Sequence, residues 1–343
     1  MNDAQWRLLL DVIKGEKVSP LPVGFIIDSP WIPGWYGISI MDYFKSDELW
    51  FAANKKVLET FPDAIFLPGF WAEFGMCTEP SAFGSNCRWQ KEDLPYPEKI
   101  SSDINALCQM PRPDVRKDGL LPRVINRLKN FQSQIEMMDH RIKFAVARGP
   151  LNIASFLSGT EELMIAMMTE KEKCHKLLQL ISDFLIDWIK YQMDCFPTID
   201  GILLLDDIIG FIGDQQCKEY VVPYFKKIYG SFNVKINFLH NDAPGIVCAP
   251  YLADMGVNLF NFSFKHSIKE MKKLASPKVA LLGNIPPRDV LKDGTPEDVK
   301  VALRKSIEGV EDKTGIILSC GGGVPGAVTT ENLSAFISAA KTL

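Results

Sequence analysis

A histidine and a carboxylate two residues apart, His240 and Asp242, follow the apolar run VKINFL in the stretch Val234 to Asp242. Imidazole nitrogen and carboxylate oxygen mounted at the end of a buried strand suit a metal ion. Where a chain leaves its sheet, strict alternation lapses and both groups can turn into one pocket. A second run, GIILS at 315–319, ends in Cys320 and three glycines. A thiolate there would complete an N, O, S donor set with one position left open, as zinc favours. The competing reading is that His-x-Asp is frequent by chance and that His240 only hydrogen-bonds a loop. GILLL at 201–205 runs into Asp206 and Asp207. Asp206 is read as the inward member and, with Glu73, as a candidate acid; Asp207 is read as a substrate contact. Asp28 closes the run VGFII and precedes Trp31, Trp35 and Tyr36, which stand among Pro30, Pro33 and Gly34. A loop is expected there. With Phe70 and Trp71, these aromatics are read as a wall for a ring-shaped ligand, against the alternative of core filling.

Eight short apolar runs can carry these groups: 23–27, 64–67, 143–147, 201–205, 234–239, 257–260, 279–282 and 315–319. They are continuous rather than alternating, as in a parallel sheet covered on both faces. Most are followed by helical periodicity, at 41–60, 121–140, 160–168, 171–196, 215–229, 245–255, 268–275, 296–310 and 331–341. Thr295 reads as the cap of the 296–310 helix, with Pro296 in its first turn. Residues 75–115 are rich in Pro, Gly and Ser and read as an insertion over one face. Acids, Arg148, Asn284 and Cys320 gather at strand C-terminal ends, where a (β/α)8 TIM barrel builds its active site. A doubly wound sheet is the runner-up, but no G-x-G-x-x-G or P-loop is present. The expected architecture is α/β, one barrel domain over 1–343 with an N-terminal helix.

The chain has 343 residues, 47% of them hydrophobic, and a net charge of −4 with pI near 5.7. No basic patch points to nucleic acid. Eight cysteines without a C-x-x-C pair read as free thiols of a reducing cytoplasm. No apolar run is long enough for a membrane span, and residues 1–17 lack the features of an export signal.

The tracts RGPLNIASFLSGTEELM at 148–164, GILLLDDIIG at 201–210, VALLGNIPPRDVL at 279–291 and LSCGGGVPGAVTTENLSAF at 318–336 resemble the uroporphyrinogen decarboxylase superfamily. That resemblance implies a (β/α)8 barrel. Porphyrinogen decarboxylases carry paired arginines after the first strand. Here the segment is DSPWIPGWYG, which has no bidentate partner for substrate carboxylates. The zinc- and corrinoid-dependent methyltransferases of the superfamily carry His-x-Cys and a later Cys. His240 and Cys320 match, while Asp242 replaces the first Cys. PWIPGWYGISIMDYF and PGFWAEFGMCTEPSAFG look most like the methyltransferase component of enzymes that demethylate methoxylated aromatics. The resemblance therefore implies zinc on His240, Asp242 and Cys320, an aryl methyl ether as donor, and a corrinoid carried by a separate partner protein. A second copy of the chain is a further candidate partner. A methylcorrinoid:thiol methyltransferase and a decarboxylase-like protein are the alternatives.

Overall fold

The computed structural model describes residues 1–28 and 30–343. Eight parallel strands form the barrel: β1 Gly24–Ile26, β2 Ile65–Leu67, β3 Phe144–Arg148, β4 Gly201–Leu205, β5 Ile236–Asn241, β6 Leu259–Phe262, β7 Ala280–Ile285 and β8 Ile316–Cys320. β3 to β8 are hydrogen-bonded in chain order, and β1 pairs with β2. Parallel bridges from Val23 to Leu318 and from Ile26 to Gly323 close β1 against β8. No ladder joins β2 to β3 among the described residues.

Alternation divides each strand between two cores. Ile26, Ile65, Leu67, Phe144, Leu203, Leu205, Ile236, Phe238, Leu259, Ala280, Leu282 and Ile317 fill the barrel. Trp6, Leu9 and Val12 of the N-terminal helix Asp3–Ile13 join the same cluster. The intervening residues pack under the outer helices.

The 296–310 expectation holds at its start: Thr295 caps helix Pro296–Ser306 through a reciprocal pair with Asp298. Other expectations need correction. The 41–60 helix is two helices, Ile40–Lys45 and Asp47–Thr60, because the Ser46 hydroxyl caps the second by accepting from the Leu49 amide. Residues 245–255 form turns and one short 3-10 segment, Ala249–Tyr251, where Pro250 has no amide to continue a helix. Trp31–Tyr36 is a short helix rather than a loop, since Pro33 falls in its first turns and Gly37, at φ 87°, ends it.

Helix Pro150–Ser158 starts directly above β3, and Gly149 is what lets it do so. A β-carbon on Gly149 would stand 2.4 Å from Asp206 Oδ2 and 2.5 Å from Asp206 Cβ. Asp206 is itself fully buried. Gly149→Ala is expected to destabilise the chain by about 1–3 kcal/mol, as overpacking does; the urea midpoint measures it.

Candidate functional site

β5 does not end before His240. His240 is in register with Leu205 and Asn261, so alternation continues past it. Ile236 and Phe238 face the barrel interior, and His240 and Asp242 follow on the same face. On β4 the same count places Leu203, Leu205 and then Asp207 inside. The structure thus corrects the reading of Asp206 as inward. Its side chain lies under the outer helix, where Oδ2 accepts the Leu151 amide at 2.9 Å. It anchors the start of helix Pro150–Ser158 and does not face the barrel mouth.

His240, Asp242 and Asp207 come together, each offering one donor atom, with the three atoms within 4.8 Å of one another. His240 Nε2 is 3.8 Å from Asp207 Oδ1 and 3.9 Å from Asp242 Oδ2. Tetrahedral zinc with N and O donors at about 2.0–2.2 Å keeps them roughly 3.3–3.5 Å apart, so a small inward movement would close this set on the metal. The tautomer also suits a ligand. Asn261 Nδ2 donates to the carbonyls of Leu282 at 2.8 Å and Cys320 at 3.3 Å. That turns its Oδ1 to His240 Nδ1 at 2.8 Å. Nδ1 therefore donates to Asn261, which leaves Nε2, the atom turned to the two carboxylates, as the one that would ligate a metal. Loss of surrounding water holds the Asp242 carboxyl above its ordinary range, with His240 opposing and Asp207 adding to the shift. One imidazole nitrogen and two carboxylate oxygens gathered in this way form a site suited to a cation.

Cys320 does not join this group. Ile317 points into the barrel, and Cys320 packs in the outer core with Ile316 and Leu318. Its Sγ donates to the Gly322 carbonyl at 3.3 Å, and burial pushes the thiol up to about 12. The glycine loop backs the site instead: a β-carbon on Gly322, at φ 134°, would lie 2.7 Å from Asp242 Oδ2.

A second polar cluster stands across the mouth. Arg148, at the end of β3, donates to Glu73 Oε2 at 2.7 Å and to the Gly75 carbonyl at 3.2 Å. Its own amide donates to Glu79 Oε1 at 3.3 Å. Asp28 is the neighbouring carboxyl, close enough to Glu73 that each shifts the other's proton affinity. Burial pushes Asp28 up to about 6 and Glu79 to about 7, with Arg148 opposing both. Burial raises Glu73 well above the ordinary carboxyl range, with Arg148 opposing and Asp28 adding to the shift. Arg148 and Glu79 were not among the residues singled out in the sequence as site groups. Arg148 was visible as a strand-end charge, whereas Glu79 lies in the irregular insertion with no periodicity to mark it.

The aromatic wall is largely packed away. Trp31 is fully buried in the outer core, and its Nε1 donates to the Val328 carbonyl at 3.0 Å. Trp35 donates to Thr330 Oγ1 at 3.0 Å and packs on Trp31 and Phe61. Tyr36 packs against the same outer core, and Phe70 stacks on Phe51. Trp71 alone of the five belongs to the interior cluster, with the Arg148 guanidinium 6.0 Å from its ring centroid.

Burial also sets the charge state of Asp206, pushed up to about 8 against the pull of the Asn152, Leu151 and Ile208 amides. Its folded pKa lies above its unfolded value, so the folded chain holds the extra proton between about pH 4 and pH 8. This contribution makes stability fall as pH rises through that window. Asp206→Asn, neutral throughout, is expected to flatten the fall and to be the more stable protein at pH 9, by an amount on the order of a few kcal/mol. Chemical denaturation at pH 5 and pH 9 reads the difference.

A parallel barrel with nitrogen and oxygen donors gathered at the C-terminal ends of its strands is the architecture of a barrel enzyme with its site at the mouth. A profile described as Uroporphyrinogen decarboxylase (URO-D) matches residues 5–343, and the chain belongs to that family. It is 23% identical over 269 residues to a methylated-thiol–coenzyme M methyltransferase of Methanosarcina mazei, covering 78% of this chain and 71% of the relative. A uroporphyrinogen decarboxylase of Pseudoalteromonas translucida is 22% identical over 275 residues, covering 76% of this chain and 75% of the relative. A methylcobamide:CoM methyltransferase of M. mazei is 25% identical over 201 residues, covering 56% of each. Among solved structures, a methyltransferase from M. mazei superposes with a TM-score of 0.82 at 19% identity over 97% of both chains, a likeness of fold. No helix among the described residues is long and apolar enough to cross a membrane.

Proposed function

We propose that this chain is a corrinoid-dependent methyltransferase that moves a methyl group from a methoxylated aromatic compound to the cobalt of a separate corrinoid protein. The observation that carries the reading is the donor group of His240, Asp207 and Asp242, which is all nitrogen and oxygen. Sulfur-rich sets match a thiol, whereas carboxylates make a harder centre matched to oxygen. Asp207 stands in this set where the family resemblance implied Cys320. Zinc held there would supply a Lewis acid for negative charge developing on an oxygen.

The chain's own residues do the rest. Trp71, facing the interior beside Arg148, offers a flat apolar surface to an aromatic ring. As the reduced cobalt of the partner takes the methyl carbon, the carbon–oxygen bond breaks with its electron pair going to the aryl oxygen. A phenol has a pKa of about 10, so the departing phenolate readily accepts a proton at neutral pH. The Asp28–Glu73 pair supplies it, and the products are a phenol and a methylated corrinoid. Arg148 orients Glu73 and tempers its neighbours' charge. A decarboxylase acting on a polycarboxylate is disfavoured because Arg148 is already committed to Glu73, with Asp28 and Glu79 close by.

The named methyltransferase relatives favour a second reading, transfer between a methylated corrinoid and a thiol such as coenzyme M. One experiment separates the two: zinc-loaded chain, a reduced corrinoid protein, and a panel of methoxybenzenes set against methylated thiols. Phenol release with stoichiometric cobalt methylation supports ether cleavage, and turnover confined to thiols refutes it.

A further inference from the structure

Beside Glu73 lies a small pocket lined by Trp71, Glu73, Glu79, Arg148, Trp188 and Leu205, among others. Three buried polar atoms of its lining residues lack a hydrogen-bond partner: Glu73 Oε1, Glu79 Oε2 and Trp188 Nε1. All three side chains are more than nine-tenths buried, at 7%, 3% and 1% exposure. Orphaned buried polar groups are costly, and the three residues that carry them line this one pocket.

We infer that this cavity is a binding site for one water, which links Glu73 to Glu79 and makes Glu79 the proton reserve of the site. The donor and acceptor count closes. Water accepts from Trp188 Nε1–H and from the Glu79 Oε2–H that carries the stored proton, and it donates to Glu73 Oε1, the three bonds usual for a buried water. The site is small, with polar groups from three of its lining residues free, and a larger ligand has no room. Glu79 is also held in place, since its Oε1 accepts the Arg148 amide while Oε2 is left for the water. Elevated proton affinity on Glu79 and Glu73 accords with storage. The charged and titratable groups facing the cluster are Asp28 from β1, Arg148 from β3, Asp207 beyond β4 and Tyr43 from helix Ile40–Lys45. Only Arg148 among them is cationic.

The proton balance is simple. The Asp28–Glu73 pair gives one proton to the departing aryl oxygen. Glu79 passes its proton to the water, which hands one of its own to Glu73. Glu79 regains a proton from solvent before the next cycle. Glu79 touches no substrate and acts through Glu73.

The inference rests on the proposed role of Glu73, so its test has one arm that needs no substrate. Infrared spectra of the purified full chain in the protonated-carboxyl region, in H2O and D2O near neutral pH, are compared for the parent, Glu79→Gln and Trp188→Phe. Glu79→Gln is expected to remove one band and shift another, and Trp188→Phe to shift bands although it carries no carboxyl. In the second arm, Glu79→Gln is expected to release about one equivalent of phenol in a burst. Its steady rate then falls about tenfold below the parent, because resupply has become limiting. Bands unmoved in both variants overturn the inference, and so does an equal slowing of the first and later turnovers. If the parent cleaves no methyl ether at all, the functional reading fails while the infrared arm still decides the water and its carboxyls.

Discussion

Replacing His240 by alanine is expected to abolish zinc retention and methyl transfer together, leaving a folded barrel. The imidazole is the only nitrogen in the donor group and the best-positioned member of it. Asn261 holds its ring and turns Nε2 toward both carboxylates. Without it, two carboxylates remain at 39% and 44% side-chain exposure, open enough to be served by water. Loss of Lewis-acid assistance worth several kcal/mol corresponds to about a thousandfold or more in rate. Metal analysis after dialysis and a single-turnover assay check the two halves. A variant that keeps zinc but loses activity would separate binding from chemistry and remove His240 from the ligand set.

The second large effect belongs to Glu73. Glu73→Gln preserves shape and can still accept from Arg148, but an amide has no acidic proton to give. Methyl transfer is expected to slow by about a hundredfold to a thousandfold, the ordinary range for general acid catalysis, with zinc content unchanged. The loss should be smaller for substrates with more acidic phenols, whose anions leave unaided. A uniform loss across the panel would make Glu73 a structural partner of Arg148 only.

The strands were legible in the sequence because each is a short, uninterrupted apolar run, and eight such runs followed by helices leave few architectures. The facing of the residues after them was not. GILLL is apolar at every position, so nothing in it says which of Asp206 and Asp207 points inward. That depends on the register with β5, which only the folded sheet supplies. The same holds for Cys320, one residue out of phase with Ile317 and Ser319. His240 and Asp242 were read correctly as neighbours, but for the wrong reason: they share a face because alternation persists, not because it lapses. Asn261 left a trace in the run LFNF, where one amide interrupts an apolar strand, and a buried polar residue at such a place needs a partner. The aromatic wall failed because Trp31, Trp35 and Tyr36 satisfy two demands at once. They pack against the outer core, and the two indoles find acceptors at 328 and 330, a part of the chain some 295 residues away in sequence.

The central claim is that the barrel mouth holds a nitrogen and oxygen metal centre made for an oxygen substrate. Zinc X-ray absorption on the zinc-loaded full chain tests it most directly. The expected result is a first shell of one imidazole nitrogen and oxygens at about 2.0–2.2 Å with no sulfur, unchanged in Cys320→Ser. A sulfur scatterer at about 2.3 Å that disappears in Cys320→Ser would contradict it and return the site to a thiol-handling centre.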